Sequence, residues 1–199
     1  MAVSPQDHSP FAVVFDLEFT AWEGSQETNW LRPGEHRELV QIGAVKVDCA
    51  FLPVAEFDQL IRPRLNPELS NYMQTLTGIT NGQIRARGVD FVEAHRNFVA
   101  FADGLPLFAF GRDDLVIADN IRLYGLREIP PMSAFHDLRR WLQAQGIDTM
   151  RRNFRACNVG PAAGVPFKGQ THNGLADAHS VAAGVAALML RGAPPPAGP

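Results

Sequence analysis

The run Phe11-Ala-Val-Val-Phe-Asp-Leu-Glu-Phe19 constrains this chain more than any other segment. Its apolar residues predict a buried strand, yet two carboxylates, Asp16 and Glu18, interrupt it. A charge taken out of water without a partner is strongly unfavourable. Side chains two apart in a strand point to the same face, about 6.5–7 Å apart along the chain. Asp16 and Glu18 therefore aim at one spot. A divalent cation is the natural group to meet them there, and phosphate chemistry commonly accompanies it.

Around this run the chain reads as an ordinary folded domain. Its 199 residues, 46% hydrophobic and 20% charged, suffice for one full-sized core. The net charge of −3 argues against a broadly basic binder, but it leaves room for basic residues gathered at one site. Cys49 and Cys157 stand far apart without a CxxC pair, so neither a zinc site nor a disulfide framework is indicated. No segment approaches the roughly 18 apolar residues of a membrane span. The first residues lack the basic and apolar regions of a signal peptide, and the expected location is cytoplasmic. Residues 1–10 are expected to be flexible, and the Gly/Pro run 192–199, with little to bury, to be disordered.

The polar stretch from Trp22 to Arg37 predicts a loop. Leu39 to Val47 and a segment near Phe57 to Ile61 predict two further strands, so a three-stranded meander opens the fold. Thr80 followed by Gln83 predicts a capping box. Phe91, His95, Phe98 and Ala102 fall on one helical face, Pro106 to Phe110 predicts a short buried strand, and Leu115, Ala118, Arg122 and Leu126 predict the next helical stripe. Phe135 to Gln145 predicts a helix stopped by Gly146, and Asn158 to Gln170 a loop. The last helix, about Ala176 to Arg191, is apolar nearly all round and is expected to be buried. This order implies an α/β layered domain with a mixed sheet.

Two further carboxylates stand at helix starts. Asp114 follows the short strand in Phe110-Gly-Arg-Asp-Asp-Leu115, and Asp177 lies five residues after His172. Each could instead be an N-cap. Asp113 competes with Asp114, whereas Asp119 lies too far along the helix. If the strand containing Phe108 lies beside the first, Asp114 reaches the site of Asp16 and Glu18. Crowded carboxylates raise one another's pKa. Two Mg²⁺ or Mn²⁺ ions about 3.5–4 Å apart would relieve that repulsion and clamp a phosphodiester. His172, with an ordinary imidazole pKa of about 6.5, suits the role of base for an attacking water.

Taken together, these segments resemble the DEDDh 3′–5′ exonucleases, the group containing ribonuclease T, oligoribonuclease and the proofreading subunit of bacterial replicase, and most of all its Eri-type exoribonuclease branch. Phe15-Asp-Leu-Glu-Phe-Thr20 is similar to the first motif, and Glu38 to Val45 to the strand that follows it. Leu76-Thr-Gly-Ile-Thr80 is similar to the helix-linking segment. Phe110-Gly-Arg-Asp-Asp114 resembles the second motif, whose metal-binding Asp stands three residues after the Gly, which favours Asp114 over Asp113. Phe167 to Asp177 resembles the third, with Gly174 matching the Eri-type pattern. Phe110 stands where Trp is usual, and Ala176 where the branch often has Asp.

The resemblance implies an RNase H-like fold for residues 11–191, a five-stranded mixed sheet flanked by helices. It also implies two bound Mg²⁺ ions, for which Mn²⁺ may substitute, with Asp16, Glu18, Asp114 and Asp177 as ligands and His172 as general base. The expected reaction releases nucleoside 5′-monophosphates from the 3′ end of single-stranded nucleic acid, RNA favoured over DNA. A DNA-directed repair or proofreading exonuclease and a non-catalytic nucleic-acid-binding module are the alternatives. Relatives that pair make a homodimer an expectation; no membrane partner is expected. Phe19, Thr20 and Trp22 are the candidates to hold the terminal nucleotide by stacking and backbone contacts, with core packing the alternative for Phe19 and Trp22. Arg112, Lys168, Arg151, Arg152 and Arg155 are candidates for phosphate contacts.

Overall fold

The computed structural model describes residues 10–196, and the expectations for the two chain ends outside that range lie outside the described residues. Three antiparallel strands, β1 (Ala12–Phe19), β2 (Leu39–Val47) and β3 (Pro53–Leu60), open the fold as the alternating pattern predicts. β4 (Leu107–Ala109) and β5 (Phe135–Asp137) add in parallel on the other side of β1, giving one mixed sheet in the order β3-β2-β1-β4-β5. Val14 pairs with Phe108, so the adjacency on which the acidic cluster depends is present. β1 and β4 end at the same edge of the sheet, where α/β folds place their sites.

Alternation along β1 sorts its side chains between two cores. Val13, Phe15 and Leu17 pack with Phe91, Phe98 and Ile117, beneath α3 (Phe91–Ala102) and α4 (Asp113–Leu123). Ala12 and Val14 pack with Val181 and Val185 beneath α7 (Gly174–Leu190). Asp16 and Glu18 continue this second set and so fall on the α7 side of the strand. A third cluster, Val40, Leu69, Met73 and Ile84, seats the short helices α1 (Asn71–Thr77) and α2 (Asn81–Arg87) beside the sheet. Gly78 closes α1 in the left-handed conformation, and Thr80 and Gln83 form the expected capping box of α2. Among the described residues no helix is long and apolar enough to cross a membrane.

Several expectations are corrected. β3 begins at Pro53, ahead of the expected Phe57. The segment expected as one helix, Phe135 to Gln145, is divided: its first three residues pair with β4 as β5, and only Arg139–Ala144 forms α5. Pairing with a central strand overrides a weak helical pattern there. The buried face of α4 carries Val116, Ile117 and Asn120, whereas Leu115, placed in the expected stripe, is 48% exposed. Asn120 spends its amide on the carbonyls of Arg37 and Val116 and accepts from the Leu39 amide, which fixes α4 to the start of β2. A short α6 (Val159–Ala162) lies in the expected loop, and α7 starts at Gly174, capped by Asn173.

Two glycines let α7 reach the sheet. A Cβ on Gly43 would lie 2.0 Å from the Leu175 amide nitrogen and 2.1 Å from the Gly174 carbonyl carbon. One on Gly174 would lie 3.0 Å from the Asp16 carbonyl oxygen. Gln41, which is buried, accepts from the Gly174 amide at 2.8 Å and donates to Asp58 at 2.7 Å, so the helix start is hydrogen-bonded to β2 as well as packed on it. Gly43→Ala therefore has to displace the α7 backbone. We expect it to lower stability by at least the ~1–3 kcal/mol typical of overpacking. Gly82→Ala in α2, where the new Cβ meets only Thr80 Oγ1 at 3.7 Å, should be neutral or stabilising. Urea denaturation of the two variants would show the contrast; equal stabilities would refute it.

Candidate active site

Asp16 and Glu18 stand near the end of β1, paired in register with Gly43 and Gln41 of β2. Because Gly43 admits the start of α7, Asp177, in that helix's first turn, comes down beside them. Glu18, Asp177 and His172 bring one ligand atom each within 4.8 Å of one another. His172 sits just before the helix in a left-handed conformation (φ 58°), a turn that sets its ring at the cleft. Asp113, the first residue of α4, enters from the end of β4. These five side chains line a cleft of about 350 Å³.

Asp113, not the expected Asp114, is the α4 carboxylate in this cleft. From position 113 the helical spacing i+3, i+4 and i+7 runs through the buried Val116, Ile117 and Asn120, so Asp113 shares the inward face. Asp114 turns away into a neighbouring groove, where the Arg112 guanidinium grips it through two hydrogen bonds of 2.8 and 2.7 Å. That pairing holds the Asp114 carboxyl below its usual range. Neither Asp114 nor Asp177 is an N-cap: Arg112 and Asn173 occupy those positions.

The cluster carries unrelieved electrostatic tension. Burial, followed by the charges of Asp113, Glu18 and Asp177, lifts the Asp16 carboxyl well above the ordinary range. Burial does the same to Glu18, with Asp177 and Asp113 adding to it. Asp113 is pushed up to about 7 by burial and then by Asp114 and Asp137, with Arg139 opposing. Asp177 also reaches about 7, through burial and against the pull of the His172 amide. His172 moves the other way, its pKa lowered by burial and then by Arg155. Asp113 Oδ2 and Asp177 Oδ1 are buried without a hydrogen-bond partner among the described residues. Buried polar atoms are nearly always paired. Orphaned oxygens in an oxygen-rich, acidic donor set fit hard divalent cations.

Of the residues expected to hold a substrate, Phe19 lines the cleft, its ring edge-on to Trp30 at 5.4 Å. Thr20 is buried, its hydroxyl donating to the His36 carbonyl and accepting from the Glu38 amide, and Trp22 does not line the cleft. The wall is completed by residues that sequence reasoning missed, Trp30, Tyr72, Met73, Leu76 and Phe154, together with the expected Arg155. Trp30 has φ 56°, rare for a bulky residue. Its indole donates to the Thr20 carbonyl at 2.8 Å and lies beneath the Arg37 guanidinium, which holds the ring in the wall. Arg112 lies outside the cleft in the neighbouring groove, and Lys168 in a separate apolar pocket.

The exonuclease family model of the RNase T type matches residues 13–184. A search of curated protein sequences returns no match. Among solved structures, a 3′-exonuclease recognising the 3′ end of a histone mRNA stem-loop superposes with a TM-score of 0.77 at 19% identity, over 94% of this chain and 85% of that one. The nuclease domain of 3′hExo, a DEDDh family member bound to rAMP, gives 0.76 at 20% identity over 96% of each chain. E. coli Exonuclease I in complex with a dA16 oligonucleotide gives 0.67 at 16% identity, over 90% of this chain but 41% of that one. At these identities the likeness is one of fold.

The raised carboxylates set a pH dependence. An acid whose folded-state pKa of about 7 exceeds an unfolded value of about 3.9 holds its proton more tightly when folded. The metal-free protein is therefore expected to lose stability as pH rises from about 4, levelling off above about 7. At about pH 8, Asp113→Asn should raise the metal-free melting temperature and shrink the rise produced by Mn²⁺, because it removes a repelling carboxylate and one of the oxygens facing the cleft. Asp114→Asn should do neither. Thermal melts with EDTA or MnCl₂ read both effects, and a Mn²⁺ response lost in Asp114→Asn but kept in Asp113→Asn would reverse the assignment.

Proposed function

The chain belongs to the exonuclease family of the RNase T type, and from that premise we propose that it is a metal-dependent 3′–5′ exoribonuclease. It would remove nucleoside 5′-monophosphates from single-stranded RNA, with Asp16, Glu18, Asp113 and Asp177 as ligands of two Mg²⁺ ions and His172 as general base. The observation that carries this proposal is the convergence of four carboxylates and an imidazole on one cleft that is also lined by the rings of Phe19, Trp30, Tyr72 and Phe154.

Each part of the cleft has a task. Divalent ions bound by the carboxylates would supply an activated water and charge stabilisation at the phosphodiester. Burial and Arg155 lower the His172 pKa, which favours the neutral imidazole that can accept the proton of the attacking water. Trp30, Phe19 and Tyr72 offer ring surface to the terminal base, an interaction worth about 1–3 kcal/mol per base in single-strand binders. At about 350 Å³ the cleft is at the small end of ligand sites, which suits a terminal nucleotide. RNA is preferred because the structures matching over 85% and 96% of their own length are a 3′-exonuclease recognising mRNA and one bound to rAMP.

A 5′-labelled single-stranded RNA incubated with Mg²⁺ should give a ladder shortening from its 3′ end, blocked by EDTA. His172→Ala should lower kcat by about 10²–10⁴ while RNA binding persists. Asp177→Asn should abolish cleavage and leave the fold intact. A matched DNA strand degraded faster than RNA would overturn the RNA preference; the absence of any ladder, with normal RNA binding, would overturn the enzyme assignment.

A further inference from the structure

Beside the catalytic cleft lies a second, larger groove of about 710 Å³, lined by Arg112, Phe135, Arg139, Arg140 and Met150 together with Asp114 and Asp137. The two spaces share a rim: Arg139 lines both. The segment 150–155 runs along the same rim, since Met150 lines the groove while Phe154 and Arg155 line the cleft. Arg151 and Arg152 stand exposed between them. In a chain with net charge −3, four basic residues (Arg112, Arg139, Arg140 and Arg155) thus line the two spaces, and Arg151 and Arg152 lie in the segment between Met150 and Phe154 that reaches both. Asp114 and Asp137 engage only Arg112 and Arg139. The other four form no ion pair among the described residues.

We propose that this groove is the track for the nucleic-acid backbone upstream of the scissile bond, gripping the phosphates of the strand whose 3′-terminal nucleotide occupies the cleft. The proposal rests on the exonuclease reading above and deepens it. Arg139 lines both spaces, so a strand whose end occupies the cleft can continue past it into the groove. Arg140 in the groove, free of an ion pair, and the exposed Arg151 and Arg152 next to Met150 offer charge to successive phosphates without reading sequence. Met150, 81% exposed, and Phe135 add apolar surface for unstacked bases.

The test reverses charge at three exposed arginines outside the catalytic machinery, Arg140→Glu with Arg151→Glu and Arg152→Glu. A control triple, Arg85→Glu with Arg96→Glu and Arg127→Glu, changes the net charge equally and touches neither space. Binding of a fluorescent single strand of about twelve nucleotides is measured in EDTA, where nothing is cut. The groove triple should bind at least about tenfold more weakly, with a salt slope shallower by about 2, since each lost phosphate contact removes about 0.7. The control should stay within about threefold of the parent, its remaining effect being screened long-range charge. With Mg²⁺, the groove triple should lose kcat/KM on the long strand and keep it on a dinucleotide, which fills only the cleft. Equal losses for the two triples, no loss for either, or a loss as large on the dinucleotide would overturn the track. Should the parent cleave nothing while the binding contrast holds, the enzyme assignment falls and the track stands.

Discussion

Repulsion among Asp16, Glu18, Asp113 and Asp177 is the interaction on which the arrangement of this molecule turns. The fold is able to satisfy a buried carboxylate when its chemistry requires it. Glu38, fully buried, accepts from the amides of Arg64, Leu65 and Asn66 and from the Tyr124 hydroxyl at 2.6–2.7 Å. At the cleft the same chain leaves Asp113 Oδ2 and Asp177 Oδ1 without partners among the described residues. A few residues away from that unsatisfied cluster, Asp137 and Asp114 are each gripped by an arginine. Cationic side chains are thus available locally and are spent on the neighbouring carboxylates. The cluster leaves two of its oxygens free, which suits a divalent cation.

Holding such a cluster together needs force from elsewhere, and it comes from packing. α7 is apolar nearly all round and is wedged between the sheet, α6 and the adjoining 3-10 turn (Ala156–Asn158). Gly184 faces Val159, where a Cβ would lie 2.7 Å from Cγ1, just as Gly43 faces Gly174 at the other end of the helix. The close seating of the whole helix is therefore written in small residues at both ends. Burial of Val181, Val185 and their neighbours opposes the electrostatic cost of bringing Asp177 to Asp16. Stability here is given up locally for a site, a pattern expected where function requires groups that repel.

How much of this was legible in the sequence follows from the range of the interactions involved. β1 could be read because alternation and two carboxylates are local signals, and α3 because its stripe is long. Asp113 and Asp114 compete in the sequence because a spacing counted from Gly111 favours the second, whereas the helical phase of Val116, Ile117 and Asn120 favours the first. The three residues of β5 are too few to show a period, and only their pairing with β4 makes them a strand. Trp30 and Tyr72 reach the cleft from a loop and a helix that owe their positions to the third core cluster, a long-range contact with no local signature. Trp22 is a candidate in the sequence only because it follows the first motif directly. Its backbone amide instead donates to Ser25 Oγ in the turn that brings Trp30 round.

The two adjacent aspartates at the start of α4 also explain why the cleft and the arginine-rich groove are neighbours. Successive residues of a helix differ by about 100° in direction, so Asp113 and Asp114 face different spaces from one backbone turn. The first faces the carboxylate cluster; the second holds Arg112 over the groove. β5 repeats the device one strand further out. Asp137 accepts from the Gly111 amide and the Arg139 backbone and side chain, fixing Arg139 on the rim between the two spaces. Negative and positive ground are therefore separated by a single turn of chain. A polyanion bound across that boundary would meet cations along its length and, at its end, the oxygen cluster whose own charge has to be offset before a phosphate can approach.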